Sequence, residues 1–251
     1  MHGFSRLKGE RVLAEVKARF ITGLTATPQR RDGHHPIIEM QLGPIRFIVN
    51  ARNHAIQRPF IHKLIIHETG FHQDDDNPRI QALYQQLAAD EQRNSMIFDD
   101  VLQALEAGRS PILLTERKEH LKYFAQRLQG ITRNLIVLQG GKGNKKRRDD
   151  LKRLATIPDN EERLVLATGR YIGEGFDDAR LDTLFLALPV SWKGTLIQYA
   201  GRLHRLHPDK TEVHIYDYVD RNVPILARMF DKRLRGYRAM GYSTEEVGMN
   251  L

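Results

Sequence analysis

The chain contains no cysteine and only one tryptophan. Without cysteine it can form no disulfide bond, bind no zinc ion through thiolates and use no thiol nucleophile. No uninterrupted apolar stretch approaches the ~20 residues that cross a bilayer. The first residues also lack the apolar region of a signal peptide. These absences favour a cytoplasmic protein with no membrane partner.

The composition is otherwise that of an ordinary globular protein, with a marked excess of cations. The 251 residues are 41% hydrophobic and 28% charged, and 39 Lys and Arg against 31 Asp and Glu give a formal net charge of +8. A basic chain favours polyanionic partners, although charge alone is equally compatible with an unrelated basic protein.

Short apolar runs alternate with helical patterns over most of the chain, which predicts an α/β fold with a parallel sheet covered on both faces. The predicted strands are residues 60–67, 112–115, 135–138, 164–167, 184–188 and 213–218. The predicted helices are residues 79–90, 94–107, 117–129, 145–155, 194–206 and 223–240.

The first part of the chain predicts less structure. We expect a helix at 10–19 and two strands, at 20–24 and 44–49, in a unit of residues 1–55. The larger unit then covers residues 56–251. Two strands alone are marginal in water. The small unit could therefore dock on the larger one, pair with another chain in an exchanged homodimer, or be mobile.

Four small or hydroxyl residues lie at or just beyond the ends of predicted strands. They are Thr25, Thr115, Gly140 and Thr168. Ligands of open parallel sheets bind beyond the carboxyl ends of the strands, where hydroxyls and free backbone N–H groups suit the phosphates of a single nucleic-acid strand. Each of these residues, taken singly, is more typical of a turn or a cap.

Two further blocks carry charge in a spacing that suits phosphate. Gln198-Tyr-Ala-Gly-Arg-Leu-His-Arg205 places two arginines three residues apart behind Gly201, which we expect to let another backbone come close. A guanidinium can hold phosphate oxygens in a bidentate fork. Gly173-Glu-Gly-Phe-Asp177 predicts a tight loop that presents a carboxylate. The bland alternatives are a solvated helix face and an ordinary β-turn.

Together with Gly23-Leu-Thr-Ala-Thr-Pro28, these blocks resemble motifs III, V and VI of superfamily-2 DEAD/DEAH-like helicases. The likeness is greatest to the helicase subunits of type III restriction enzymes. It implies a second RecA-like domain in the larger unit and a remnant of the first RecA-like domain, with motif III, in the smaller one.

The resemblance implies a nucleotide site made by five residues. Arg202 and Arg205 would act as arginine fingers on the γ-phosphate. Gly175 and Asp177 would meet the ribose, and Gln198 would bridge motif VI to the nucleotide or to motif V.

The resemblance also implies coupling and nucleic-acid contacts. Thr25 and Thr27 would couple the nucleotide state to domain closure. Thr115, Gly140 and Thr168 would grip the backbone of a nucleic acid, with DNA expected rather than RNA.

The sequence lacks both a G-x-x-x-x-G-K-[ST] phosphate loop and an Asp-Glu-x-His box. We therefore expect ATP and Mg²⁺ to be bound only in a complete two-domain enzyme whose amino-terminal RecA-like domain is a further partner. The chain alone should hydrolyse ATP negligibly, because an arginine finger needs the rest of the site. We expect no metal site in this chain. The alternatives are a truncated, non-catalytic nucleic-acid-binding module and an unrelated α/β domain.

Overall fold

The computed structural model describes residues 17, 20–23, 43–47, 59–73, 79–140, 144–169, 176–190 and 193–245. The chain divides into two compact units, residues 1–50 and 51–251. None of the helices in the described ranges has the length and apolar character needed to cross a membrane.

The two strands predicted in the first unit are wrong where the structure describes them. Residues 20–23 and 44–47 form no strand, and the side chains of Phe20 and Phe47 are 81% and 82% exposed. A strand forms only as part of a sheet, and the seven-stranded sheet of the described residues does not include residues 20–23 or 44–47. Thr25, Thr27 and all of the predicted helix at 10–19 except Lys17 lie outside the described residues.

The second unit contains the predicted parallel sheet. Its seven strands lie in the order β3-β4-β2-β5-β6-β1-β7, and every pairing is parallel. The strands are β1 (Ile61–Glu68), β2 (Pro111–Thr115), β3 (Leu135–Leu138), β4 (Leu164–Thr168), β5 (Thr183–Leu186), β6 (Glu212–Val219) and β7 (Ser243–Glu245).

Six described helices flank the sheet. They are α1 (Ile80–Ala89), α2 (Glu91–Glu106), α3 (Lys118–Leu128), α4 (Asn144–Thr156), α5 (Lys193–Leu203) and α6 (Pro224–Ala239). Their ends differ from the predicted ones by three residues or fewer. Gly108 ends α2 as expected, because its φ of +70° suits a residue without a Cβ and its N–H donates to Leu105 O at 2.9 Å.

The sheet is buried on both faces, because successive side chains of a strand point to opposite sides. Leu113 of β2 faces a core cluster shared with α2 and α3, whereas its neighbours Ile112 and Leu114 face a cluster shared with α4, α5 and α6. Every residue of β2, β4 and β5 is buried, which explains why these strands read as continuous apolar runs. The fold class predicted from the sequence is confirmed.

Two buried ion pairs hold helices against the end of β6. Arg233 of α6 donates through Nε and Nη2 to the two carboxylate oxygens of Asp217 at 2.7 and 2.8 Å, and Tyr237 donates to the same carboxylate at 2.7 Å. Arg93 of α2 donates to Asp220 at 3.2 Å. Breaking such a pair strands a buried charge, so α2 and α6 are fixed to the sheet that carries the site.

Candidate functional site

The structure brings together three of the predicted nucleic-acid residues, Thr115, Gly140 and Thr168, which we call the rim. Thr115 and Thr168 end the neighbouring strands β2 and β4 and lie opposite each other in register. The Gly140 N–H, just beyond β3, donates to the Thr168 hydroxyl at 3.3 Å. All three therefore lie at the carboxyl ends of adjacent strands.

The two threonine side chains of the rim are used inside the domain. Thr115 is 2% exposed and Thr168 is 7% exposed. The Thr115 hydroxyl accepts the N–H of Arg117 at 3.3 Å and contacts Nδ1 of His120 at 3.0 Å. Their hydroxyls thus position the loops after β2 and β3, and a direct contact with phosphate stays a prediction.

A buried polar chain continues from Thr115 into the helical layer. His120 Nε2 lies 2.8 Å from Asn94 Oδ1, while Asn94 Nδ2 donates to Ala88 O at 3.0 Å. Because Asn94 Oδ1 can only accept, the imidazole proton is assigned to Nε2 and Nδ1 accepts from the Thr115 hydroxyl. Burial, aided by the charges of Arg93 and Arg117, lowers the pKa of His120 from 6.5 to about 3. The ring is neutral and both its nitrogens are satisfied.

A second contact joins the rim to α5, and the sequence analysis missed it. Tyr199 is 4% exposed, and its hydroxyl donates to Glu116 Oε1 at 3.0 Å. Both groups lie over Gly169. A Cβ added there would stand 2.8 Å from Tyr199 Cζ and closer still to Tyr199 Oη and Glu116 Oε1. We call these three residues the Tyr199 latch.

A sequence signal for two of the latch residues does exist. Glu116 and Gly169 directly follow β2 and β4, so the strand-end rule that selected the rim also covers them. Tyr199 stands inside the Gln198–Arg205 block. Nothing in a single sequence indicates that its hydroxyl turns toward Glu116.

The carboxyl end of α5 carries Arg202, and Arg205 follows two residues after the helix ends at Leu203; we call Asp177, Arg202 and Arg205 the arginine end. Arg205 Nε donates to Asp177 Oδ1 at 3.0 Å, and the two side chains are 55% and 53% exposed. The pair brings the two charged sequence blocks into contact. Arg202 is half-buried, Gln198 is exposed, and Gly175 lies outside the described residues.

The loop that carries Asp177 is fixed by its neighbours. The buried Asp178 carboxylate accepts Nε and Nη2 of Arg180 at 2.8 and 3.0 Å. The same guanidinium donates to Leu154 O and Ile157 O at the end of α4. These bonds tie the loop to a helix end, so Asp177 is presented from a supported backbone.

Lys210 holds the backbone at Arg205 through hydrogen bonds to carbonyl oxygens. Its Nζ donates to Leu203 O at 2.9 Å and to Arg205 O at 2.8 Å. A cation at the carboxyl end of a helix satisfies free carbonyls and the helix dipole. Burial, opposed by the charges of Asp182 and Asp178, lowers the pKa of Lys210 to about 8.

Gly201 does not behave as predicted within this chain. A Cβ built on it would meet no described heavy atom within 4 Å, and the residue is exposed. The expected close approach of another backbone is therefore not made by the described part of this chain.

The arginine end can exchange partners. An exposed ion pair contributes little net stability, so the Arg205 guanidinium can leave Asp177 for a phosphate at small cost. No group of three or more His, Asp or Glu side chains able to hold a metal ion occurs among the described residues. The start of α4 adds three exposed cations, Lys145, Lys146 and Arg148.

No protein-family model matches the chain. The chain is 27% identical over 241 residues to protein 161L of Invertebrate iridescent virus 6, which carries a helicase name; the match covers 92% of this chain and 52% of that protein. It is 30% identical over 121 residues to transcript termination protein A18 of cowpox virus (strain Brighton Red), covering 47% of this chain and 24% of that protein.

A solved structure supports the fold. The crystal structure of UvsW from T4 superposes with a TM-score of 0.58 at 16% identity, covering 74% of this chain and 41% of that one. The fold is thus RecA-like, a parallel sheet flanked by helices. The chain spans about half the length of the viral helicase-named relative and about a quarter of the termination protein. In sequence it is similar to helicase-like viral proteins.

Proposed function

We propose that this chain is the carboxy-terminal part of an ATP-dependent nucleic-acid helicase or translocase, supplying arginine fingers to a nucleotide site shared with an amino-terminal RecA-like domain. The observation that carries the proposal is the half-exposed Arg205–Asp177 pair, which joins the two motif-like blocks. The pair places a guanidinium that can bind phosphate next to a carboxylate that can accept hydrogen bonds from a ribose.

In this proposal the two partners of the pair separate when nucleotide binds. Arg205, with Arg202 three residues before it, would neutralise charge on the γ-phosphate as phosphoryl transfer proceeds. Asp177, with Gly175 and Gln198, would hold the ribose and adjoining groups. ATP and its Mg²⁺ would require the phosphate loop and carboxylates of the other domain, since the chain has neither motif.

The rim would hold the nucleic acid. Buried hydroxyls of Thr115 and Thr168 keep the strand-end loops in place, and backbone N–H groups near Gly140 would donate to phosphates. Exposed Lys145, Lys146 and Arg148 would add charge. We propose DNA rather than RNA as the partner and type III restriction helicase subunits as the nearest branch. Thr25 and Thr27 would couple nucleotide state to closure.

The missing phosphate loop favours a second candidate, a nucleic-acid-binding module without a motor. Both candidates predict salt-sensitive binding of single-stranded DNA by the purified chain, because phosphate contacts release counterions. Fluorescence anisotropy with labelled DNA and RNA strands, measured across a salt series, tests this shared step. Binding that is absent, or that does not depend on salt, contradicts both candidates.

ATP turnover separates the two candidates. The chain alone should turn over negligible ATP, whereas a mixture with a RecA-like domain that bears the phosphate loop should gain nucleic-acid-stimulated turnover. Arg205→Ala should abolish that gain, by about 10³-fold or more. Arg133→Ala is the matched control, because Arg133 is also an exposed arginine, 68% exposed, in an ion pair with Glu161. A folded mixture without turnover supports the binding module.

A further inference from the structure

The Tyr199 latch serves neither the proposed nucleotide chemistry nor the core alone. It places a carboxylate, Glu116, directly after Thr115, at the surface where the proposed function needs phosphates to bind. A free carboxylate at such a surface opposes binding, because it repels each phosphate. Its presence there therefore needs a structural account.

We propose that Tyr199 is a positioning residue whose hydroxyl holds the Glu116 carboxylate against α5 and out of the path of a nucleic-acid strand on the rim. The proposal rests on the function proposed above and adds a residue to it. The hydroxyl donates to Glu116 Oε1 at 3.0 Å from a buried ring on the same helix that carries Arg202.

The missing side chain of Gly169 leaves the room that the Glu116 carboxylate occupies. The hydroxyl and the Glu116 oxygen lie where a Cβ on residue 169 would be. Thr168, the preceding residue, receives the N–H of Gly140 at 3.3 Å. The latch therefore lies next to the proposed phosphate contacts. A Glu116 side chain released from Tyr199 could reach those contacts.

The hydroxyl is a permanent donor. Burial, together with the charge of Glu116 and its hydrogen bond, raises the pKa of Tyr199 above its usual value. The latch therefore does not open by loss of the tyrosine proton near neutral pH.

The test uses four proteins: the unchanged chain, Tyr199→Phe, Glu116→Gln and the double variant. Phenylalanine keeps the buried ring and removes only the hydroxyl, while glutamine keeps an acceptor for Tyr199 and removes the charge. The readout is the Kd for a labelled single-stranded DNA by anisotropy, at low and at high salt. Thermal unfolding of each protein verifies that it is folded.

Tyr199→Phe should raise the Kd about three- to tenfold at low salt, the range expected for one unit charge released near a phosphate. High salt should shrink that difference. Glu116→Gln should bind no more weakly than the unchanged chain. The double variant should regain the affinity of Glu116→Gln, because the hydroxyl is needed only while residue 116 is charged.

A merely structural role for the hydroxyl would leave the double variant as weak as Tyr199→Phe, and that result overturns the proposal. Unchanged affinity in Tyr199→Phe overturns it as well. Tyr123→Phe is the matched control, since Tyr123 donates to Glu91 at 2.8 Å on the other face of the sheet. If the unchanged chain binds no nucleic acid, the proposed function fails first and the proposal falls with it.

Discussion

The rim and the arginine end carry charged and polar groups in opposite ways. At the rim, Thr115 and Thr168 are buried, and every hydroxyl has a partner inside the domain. At the arginine end, Arg205 and Asp177 are each more than half exposed and bond to one another. The polar groups of the rim are thus satisfied within the domain, whereas Arg205 at the arginine end can exchange its partner for another anion.

The difference separates support from contact. Polar groups whose hydrogen bonds are all made within the fold offer a ligand no free donor or acceptor, but they hold in place the backbone that contacts the ligand. An exposed ion pair gives the fold little, yet it offers a charge that a phosphate can take over. We therefore expect substitutions at the rim to change stability first, and substitutions at the arginine end to change binding and turnover first.

Acid should have the largest effect on stability, and it should act at the rim through His120. The pKa of His120 falls from 6.5 to about 3 on folding, so as the pH falls the unfolded chain takes up the proton before the folded chain does. The contribution of this group to the free energy of unfolding is fully present above pH 6.5 and is lost toward pH 3, by roughly 5 kcal/mol in all. Circular dichroism against pH measures the loss.

His120→Gln should flatten this acid transition, because glutamine keeps a donor and an acceptor but does not titrate. The exposed His72 provides the matched control, and His72→Gln should leave the transition unchanged. An acid transition that is equally steep in His120→Gln would mean that other groups cause it and that the Thr115–His120–Asn94 chain is not the acid-sensitive element.

A methyl group at Gly169 should break the rim at its junction with α5. Gly169→Ala forces Tyr199 and Glu116 apart, and overpacking of this kind costs about 1–3 kcal/mol. Gly140→Ala is the matched control, since its Cβ would lie 3.7 Å from Thr168 Oγ1, an ordinary contact. Urea unfolding of both variants compares them. Equal urea midpoints in the two variants would show that Tyr199 and Glu116 can move away from residue 169 without loss of stability.

The sheet could be predicted because its evidence is local. Continuous apolar runs such as β2 and β4 identify buried parallel strands, and Gly108 marks a helix end. The order of the strands could not be predicted, because β1 pairs with β6, which lies over 140 residues later, as the register Ile61 to Glu212 shows. The three-residue β7 carries too little pattern to be found.

The candidate site could be predicted in part for the same reason. Three residues at or just beyond strand ends were found, and the structure brings Thr115, Gly140 and Thr168 together, whereas Glu116 and Gly169 at the same strand ends were missed. Burial of their hydroxyls was not foreseen, because it depends on His120, which lies in another element. The strands predicted at 20–24 and 44–49 are wrong over the described residues 20–23 and 44–47, because a short apolar run alone does not determine whether a strand forms.

Removal of the guanidinium at the arginine end should sharpen the comparison by leaving the fold almost intact. Arg205→Ala should change the free energy of unfolding by less than about 1 kcal/mol, because the pair is exposed. Arg180→Ala, in the neighbouring loop, should cost clearly more, since Arg180 is 11% exposed and holds the buried Asp178. Urea midpoints decide. A loss in Arg205→Ala as large as that in Arg180→Ala would make the arginine end structural.

Gly201→Ala should give the smallest effect, and one of the opposite sign. An exposed glycine within a helix costs roughly 0.5–1 kcal/mol relative to alanine, and no described atom stands in the way of a methyl group. The variant should therefore unfold at a higher temperature. Gly236→Ala should not, because its Cβ would meet Leu196 Cδ2 at 3.0 Å.

The same variant tests why a destabilising glycine stands one residue before Arg202. If a ligand or a partner domain uses the open space, Gly201→Ala will be more stable yet weaker in nucleic-acid-stimulated ATP turnover once the other RecA-like domain is supplied. A variant that gains stability and keeps full turnover would show that the space at Gly201 serves no contact, and that the openness of the arginine end lies in its side chains alone.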